Sequence, residues 1–327
     1  MPRMARIFIP GSLYHVMAHS IEGKTLFLDD TDRSEFLSRF EKKLKECNFQ
    51  CYAWALMDNH YHFLIRITHL PLSKLMRGLN GGYAQYYNKK YQKTGYLFQN
   101  RFKSVLCQDQ QYAIDLVRYI HLNPYRAGKV KTLEELQKWN WCGHGVLMGK
   151  KKASGETFQN RQDCLRRFGE NEPDAVNAYL KYLAQSCNCE NSNRAGHLLF
   201  AEATEITGSC KGWPAVIGDP EFVKSAMEKF KLCLHRSHRK ADYPYVLDTI
   251  AKKICTGYEI TSSELMKRGK KNKRSDARAA FCYEAHILEF IPLSIIAQYL
   301  QMTISPVDAL VKKGTPLSDL KSMPLFK

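Results

Sequence analysis

No stretch of the 327-residue chain reaches eighteen consecutive apolar residues, so nothing in it reads as a membrane-spanning helix. The opening segment MPRMARIFIPG lacks an apolar core followed by a small-residue cleavage site, and with no secretory signal in it a cytoplasmic setting is the expectation. The eleven cysteines follow no regular framework. The close pair Cys187 and Cys189 has neither zinc-knuckle nor redox spacing, which predicts free thiols in a reducing compartment. Acidic residues are the scarce class of charge: 32 Asp and Glu stand against 49 Lys and Arg, a net charge of +17. A pI near 9.3 calls for a polyanionic partner, and nucleic acid is the leading candidate. What is present in ordinary measure is apolar residues, at 44%, enough for a sizeable core.

From Gly11 to Asn123 the pattern alternates between strand and helix. SLYHVMAHS reads as a strand, and DDTDRSEFLSRFEKKLKECNF as a capped helix with Phe36, Leu37, Phe40, Leu44 and Cys47 at helical spacing. QCYAWALM and HYHFLIRI form a hairpin about Asp58 and Asn59. Leu72, Leu75, Met76, Leu79 and Tyr83 mark a helix expected to loosen at Gly81 and Gly82. A strand, YLFQNRFKSVLC, and a last helix, DQQYAIDLVRYIHLNP, complete the series. Strand, helix, hairpin, helix, strand, helix is a split βαβ order of the ferredoxin-like kind with one helix added, so the fold class is α+β. Past residue 149 the texture becomes polar and rich in Asn and Ser. The expected organisation is 1–149 for the α+β domain, 150–215 for a helical connecting region and 216–327 for a helical DNA-binding domain.

Chemistry concentrates in two places. In MDNHYHFLI, His60 and His62 are two apart on a strand and project to one face, where they can share an ion; they can equally be hydrogen-bonded residues at a sheet edge. In RYIHLNP, Tyr119 and Asn123 lie one helical turn apart, a phenol nucleophile beside an amide oxygen that can ligate a hard metal. The plainer alternative is a packing tyrosine and a helix-ending asparagine. Together, two histidines, a tyrosine and an amide in a basic α+β domain suggest phosphoryl transfer to tyrosine with Mg²⁺ or Mn²⁺. Arg101 and Lys103, on the strand leading to the tyrosine's helix, are candidate DNA contacts. Lys89 and Lys90, interleaved with Tyr86, Tyr87 and Tyr91, have the pattern that tracks and stacks a single strand.

PGSLYHVMAHS, MDNHYHFLI, GYLFQNRFKS and VRYIHLNPYRAG, in this order and spacing, closely resemble the single-tyrosine HUH transposases, specifically the REP-associated tyrosine transposase group. The resemblance covers roughly residues 5 to 145. It implies that His60, His62 and Asn123 hold a divalent metal and that Tyr119 becomes linked to a DNA 5′-phosphate, with cleavage of single-stranded DNA near hairpins leaving a free 3′-OH. The chain departs from the family at Asp58, where proline is usual, at His19, where arginine is usual, and at Trp141 to Gly143, WCG in place of WSS.

Between Leu265 and Arg278 the run LMKRGKKNKRSDAR is strongly basic, and PLSIIAQYLQMTISPVDALVKKG has helix-turn-helix character. Residues 240 to 315 look like the C-terminal DNA-binding domain of the bacterial replication initiator, a fold shared with the tryptophan repressor. That resemblance assigns Lys267, Arg268, Lys270, Lys271, Lys273, Arg274 and Arg278 as duplex contacts, with the helix beginning near Ser305. The expectation is a transposase-like endonuclease and strand transferase acting on single-stranded DNA with hairpins, and on duplex through its C-terminal domain, as a monomer or homodimer away from membranes. The alternative is a catalytically vestigial relative that regulates transcription. A zinc hydrolase using His60 and His62 is a third reading, short of a third His or Glu ligand.

Overall fold

The computed structural model describes residues 6–68, 70–109, 111–149, 158–187, 216–238, 242–267, 273–289 and 291–314. The chain divides into two compact units, Met1–Ala226 and Met227–Lys327. In the first, strand β1 (Leu13–His19) leads to helix α1 (Asp30–Cys47), strands β2 (Gln50–Leu56) and β3 (His60–Arg66), helix α2 (Leu72–Lys90) and strand β4 (Lys103–Cys107). The sheet order is β2-β3-β1-β4-β5, in which β5 (Val216–Ile217) adds a short parallel edge beside β4 while the other pairs are antiparallel. The four strands before β5 have the split βαβ arrangement expected from the sequence, and the unit is α+β.

One sheet face carries Tyr14, Val16, Tyr61, Phe63 and Ile65, all nearly inaccessible, under α1 and α2. Phe40 stacks on Phe63 with ring centroids 3.8 Å apart, and Phe36 meets Tyr61 at 5.0 Å. Helix α1 begins at a reciprocal cap in which Asp29 accepts from the Asp32 amide and Asp32 returns the bond. The buried Asp32 carboxylate then binds the far end of α2, taking Lys90 Nζ at 2.8 Å and Tyr91 Oη at 2.7 Å, with Tyr86 Oη at 3.3 Å. Tyr87 is buried and donates to the Thr25 carbonyl. Lys90, Tyr86 and Tyr91 therefore clasp two helices together, Tyr87 ties α2 to the segment before α1, and these side chains do not form the base-stacking surface expected of them.

Helix α2 runs unbroken through Gly81 and Gly82, where a loosening was expected. Two of its glycines serve close packing: a Cβ at Gly78 would lie 2.8 Å from Lys43 Cε, and one at Gly82 would lie 3.1 Å from Arg39 Nη1, both on α1. The expected strand over residues 96–107 shrinks to β4. Residues 97–99 instead bond to the end of β1, with Ile21 N donating to Leu97 O and Gln99 N to His19 O.

The second sheet face, with Leu13, His15, Met17, His62, Leu64 and Val105, is covered by helix α3 (Gln111–His121), followed by short helices α4 (Asn123–Arg126), α5 (Leu133–Lys138) and α6 (His144–Leu147). Ala113, Leu116, Val117 and Ile120 are buried here, the stripe that the helical spacing predicts. Helices α7 (Arg161–Leu165) and α8 (Glu172–Cys187) join the same core through Cys164, Leu165, Ala175, Tyr179 and Leu183. The division thus falls at 226–227, and the described part of the expected connecting region belongs to the first unit. Gln159 reinforces this by donating to Tyr52 O and accepting from Trp54 Nε1, both on β2.

Tyr179 holds that added layer in place. Its fully buried hydroxyl lies 2.8 Å from His121 Nδ1 and 2.7 Å from His144 Nδ1. A hydroxyl has one proton to donate, so at most one of the two imidazoles accepts at Nδ1. Replacing Tyr179 by Phe removes a partner from each ring and is expected to cost about 1–3 kcal/mol, read as a lower urea midpoint at unchanged m-value.

The described helices of the second unit are α9 (Pro220–His238, which begins in the first), α10 (Tyr243–Gly257), α11 (Ser262–Met266), α12 (Lys273–Tyr283) with a π-turn at Glu284–Leu288, α13 (Leu293–Tyr299) and α14 (Ile304–Gly314). Leu247, Leu265, Phe281, Ile296, Val307 and Val311 share its core. Thr261 caps α11 through the Glu264 amide, as its sequence position predicts. A Cβ on Gly314 would lie 2.3 Å from the Ala279 carbonyl, so glycine is what lets α14 seat against α12.

Candidate active site

Strand pairing assembles four imidazoles on one sheet face. His60 and His62 project together from β3 with ring centroids 5.0 Å apart. Directly across on β1, His19 stacks on His60 at 4.7 Å with planes 17° apart. His15, the diagonal neighbour of His62, stacks on it at 5.2 Å and places Nε2 3.0 Å from His62 Nδ1. The face is a core surface at the His15 and His62 end, where both are buried, and opens towards His60. The alternation of apolar and polar residues in HYHFLI did not disclose this, because the helices that cover His62 come from residues 111–187.

Helix α3 crosses over the pair and brings Tyr119 edge-on to His62 at 5.7 Å and to His15 at 5.8 Å. Asn123 is not on the same helix as Tyr119: α3 ends at His121, and Asn123 opens α4 with its Nδ2 donating to the Tyr119 carbonyl at 2.8 Å. Arg126 Nη1 donates to that carbonyl at 3.1 Å, and its guanidinium carbon stands 5.2 Å from the Tyr119 ring centroid. Arg126 escaped the sequence reading; its signal was a basic residue two helical turns past the tyrosine in RYIHLNPYR.

Burial dominates the electrostatics. It pushes the His15 pKa down to about 3 and that of His60 to about 4, in the latter case with His19 adding to the effect and Asp58 opposing it. His62 lies well below the usual histidine range, through burial first and then the neighbouring His15, His60, His19 and Arg126. The cluster is neutral at pH 7, the state in which imidazole ligates metals. Burial also raises the Tyr119 phenol, while the Arg126 cation pulls it back.

Among the described residues no group of three or more His, Cys, Asp or Glu is placed to hold a metal. The donors expected from the sequence are two imidazoles, here neutral, and the Asn123 amide, whose NH₂ is engaged by the Tyr119 carbonyl and whose oxygen is its acceptor atom. Nitrogen and neutral oxygen donors of this kind fit a divalent cation.

Lys103 is exposed on the same face, opposite Met17, and its charge adds to burial in lowering the His19 pKa. Arg101 is exposed just before β4. In the second unit Lys267 is exposed, Lys273 pairs with Glu259 at 2.9 Å and Arg274 with Glu264 at 2.9 Å. Arg278 is 3% exposed and directs Nη1 at the Leu265 carbonyl, which removes it from the expected DNA contacts: the helical stripe containing Ala277 and Phe281 carries it inward. Arg268, Lys270 and Lys271 lie outside the described residues.

Fold and site together define a split βαβ domain in which a histidine pair faces a tyrosine brought in by a later helix. Residues 10–123 match the family model described as "Transposase IS200 like". Over that stretch the chain is similar to the IS200-like transposases, in agreement with the resemblance drawn from the four motifs. Among solved structures, the REP-associated tyrosine transposase bound to a REP hairpin is 17% identical, over 46% of this chain and 87% of that one, with a TM-score of 0.38. No curated protein is significantly similar to the chain. Among the described residues, no helix is long and apolar enough to cross a membrane.

Proposed function

We propose that the first unit is a metal-dependent endonuclease and strand transferase that cuts single-stranded DNA near hairpins, with Tyr119 as nucleophile and His60, His62 and Asn123 as metal ligands. The observation that carries this reading is the meeting of the Tyr119 ring with His62 at 5.7 Å, made by two sequence stretches that only the fold unites. A divalent cation bound there supplies Lewis-acid polarisation of the scissile phosphate. Tyr119 Oη attacks phosphorus and gives up its proton; the P–O3′ bond breaks, leaving a 5′-phosphotyrosine on the protein and a 3′-OH on the released strand. Asn123 and Arg126, both bonded to the Tyr119 carbonyl, hold the nucleophile's backbone at the junction of α3 and α4. Arg101 and Lys103 guide the strand's phosphates, and the net charge of +17 supports a polyanionic substrate.

The second unit docks on duplex or hairpin DNA through Lys267, Lys273 and Arg274, joined by Arg268, Lys270 and Lys271. Its two closing helices, Leu293–Tyr299 and Ile304–Gly314, are joined by a four-residue turn that suits a helix-turn-helix. Replacing Arg101 and Lys103 together by Ala is expected to reduce the log–log salt slope of single-strand binding by about 0.7 for each phosphate that the two side chains neutralise. An unchanged slope would remove both from the DNA path.

The test of the reading is incubation with a hairpin-flanked single-stranded oligonucleotide and Mg²⁺ or Mn²⁺. A covalent protein–DNA band on a denaturing gel, abolished by chelation, is the expected result. Binding without any adduct would favour the alternative, a regulator with a vestigial site, for which the lack of a third His, Cys, Asp or Glu beside the pair among the described residues is the supporting observation.

A further inference from the structure

Each imidazole of the pair already has one ring nitrogen engaged, one by the turn between β2 and β3 and the other by β1. His60 Nδ1 lies 2.7 Å from the Asn59 side-chain oxygen. An amide oxygen only accepts, so His60 carries its proton on Nδ1 and leaves the Nε2 lone pair bare. His62 Nδ1 lies 3.0 Å from His15 Nε2, a contact between two groups that can each donate or accept. The two possible orders differ in consequence. With the proton on His15 Nε2, His62 is protonated at its own Nε2 and cannot ligate through it. With the proton on His62 Nδ1, both histidines of the pair present a bare Nε2.

We propose that His15 is a positioning residue which accepts the His62 Nδ1 proton and, together with Asn59, sets both histidines in the same tautomer, ready for a divalent cation before one arrives. This rests on the reading of His60 and His62 as ligands. The placement of His15 supports it in three ways. Its ring is held by a central strand, fully buried, and stacked on His62 at 5.2 Å with planes 21° apart, so the orientation of His62 is constrained. The same ring meets Tyr119 edge-on at 5.8 Å, so the residue that orients the ligand also contacts the nucleophile. Finally, β1 pairs with β3 so that His15 sits on the diagonal from His62, with Met17 directly opposite, and reaches the Nδ1 edge of the ring. Partners of this type orient a ligating imidazole and raise its basicity, and their loss typically weakens metal binding by about 10–100-fold.

The first measurement uses the unmodified protein. In metal-free, ¹⁵N-histidine-labelled protein, imidazole shifts are expected to show His60 and His62 protonated at Nδ1. A His62 protonated at Nε2 would overturn the proposal outright. The second measurement is Mn²⁺ affinity by titration calorimetry, with metal-free melting curves as a check on folding. His15→Phe keeps an aromatic ring but removes the acceptor, and is expected to bind Mn²⁺ about 10–100-fold more weakly than wild type. His15→Asn offers an amide oxygen to His62 and is expected to recover most of that loss. Wild-type affinity in His15→Phe, with binding abolished in His60→Ala, would overturn the positioning role alone. Mn²⁺ binding by His60→Ala equal to that of wild type would overturn the ligand reading, and the positioning role with it.

Discussion

Tyr119→Phe is expected to abolish the covalent protein–DNA adduct and to lower cleavage by roughly 10³-fold or more, while single-strand binding and the melting curve stay close to wild type. The reasons lie in how the residue is held. Its carbonyl bonds to Asn123 and Arg126 and its ring contacts to His15, His62 and Arg126 do not require the hydroxyl, so phenylalanine keeps them. Only the atom that would bond to phosphorus is removed. An adduct that persists in Tyr119→Phe would reassign the nucleophile, and peptide mapping of the DNA-linked fragment would show where.

Acid is expected to unfold the first unit well before its carboxylates are protonated. A histidine whose folded pKa is depressed binds fewer protons folded than unfolded, so its contribution is full above the unfolded value near 6.5 and is lost as pH falls through the folded value. For His15 that window runs from 6.5 to about 3, and for His60 from 6.5 to about 4. His62 and His121 shift in the same direction, through burial first, then His15 among others for the former and His144 for the latter. Between pH 7 and pH 5, His15 alone should cost the fold about 2 kcal/mol. Since about 1 kcal/mol moves the midpoint of a unit this size by roughly 2–4 °C, the melting temperature should fall by more than roughly 4 °C over that range. His15→Phe should flatten part of this dependence. A midpoint independent of pH from 7 to 5 would show that these rings are protonated in the folded protein.

The two predictions draw on different layers of information. Tyr119 became a candidate in RYIHLNP because a phenol and an amide one turn apart join a histidine pair whose alternation on a strand puts both rings on one side; either feature alone equally allowed packing or edge residues. The order of elements was legible for the same reason: the apolar spacing of Phe36, Phe40 and Leu44, or of Ala113, Leu116 and Ile120, repeats within a few residues. The failures share a cause as well. Tyr86, Tyr87, Tyr91 and Lys90 resemble a nucleic-acid surface in sequence, yet three of them turn to the carboxylate of Asp32, some sixty positions earlier, and Tyr87 to Thr25. Arg278 sits in a basic run but falls on a buried helical stripe. Gly81 and Gly82 look like a break because their helix is judged without the neighbouring α1, against which Gly82 packs.

What the sequence determined by itself is the α+β series of elements, the basic balance and the residue types of the site, since these depend on composition and on spacing within one strand or helix. Only the tertiary structure decided that His15 and His19 on β1 stack beneath the pair, that Arg126 stands over Tyr119, and that residues 159–187 belong to the first unit. Each of those depends on segments distant in the chain meeting in space, where the energy comes from burying two surfaces against each other and is invisible in either one alone.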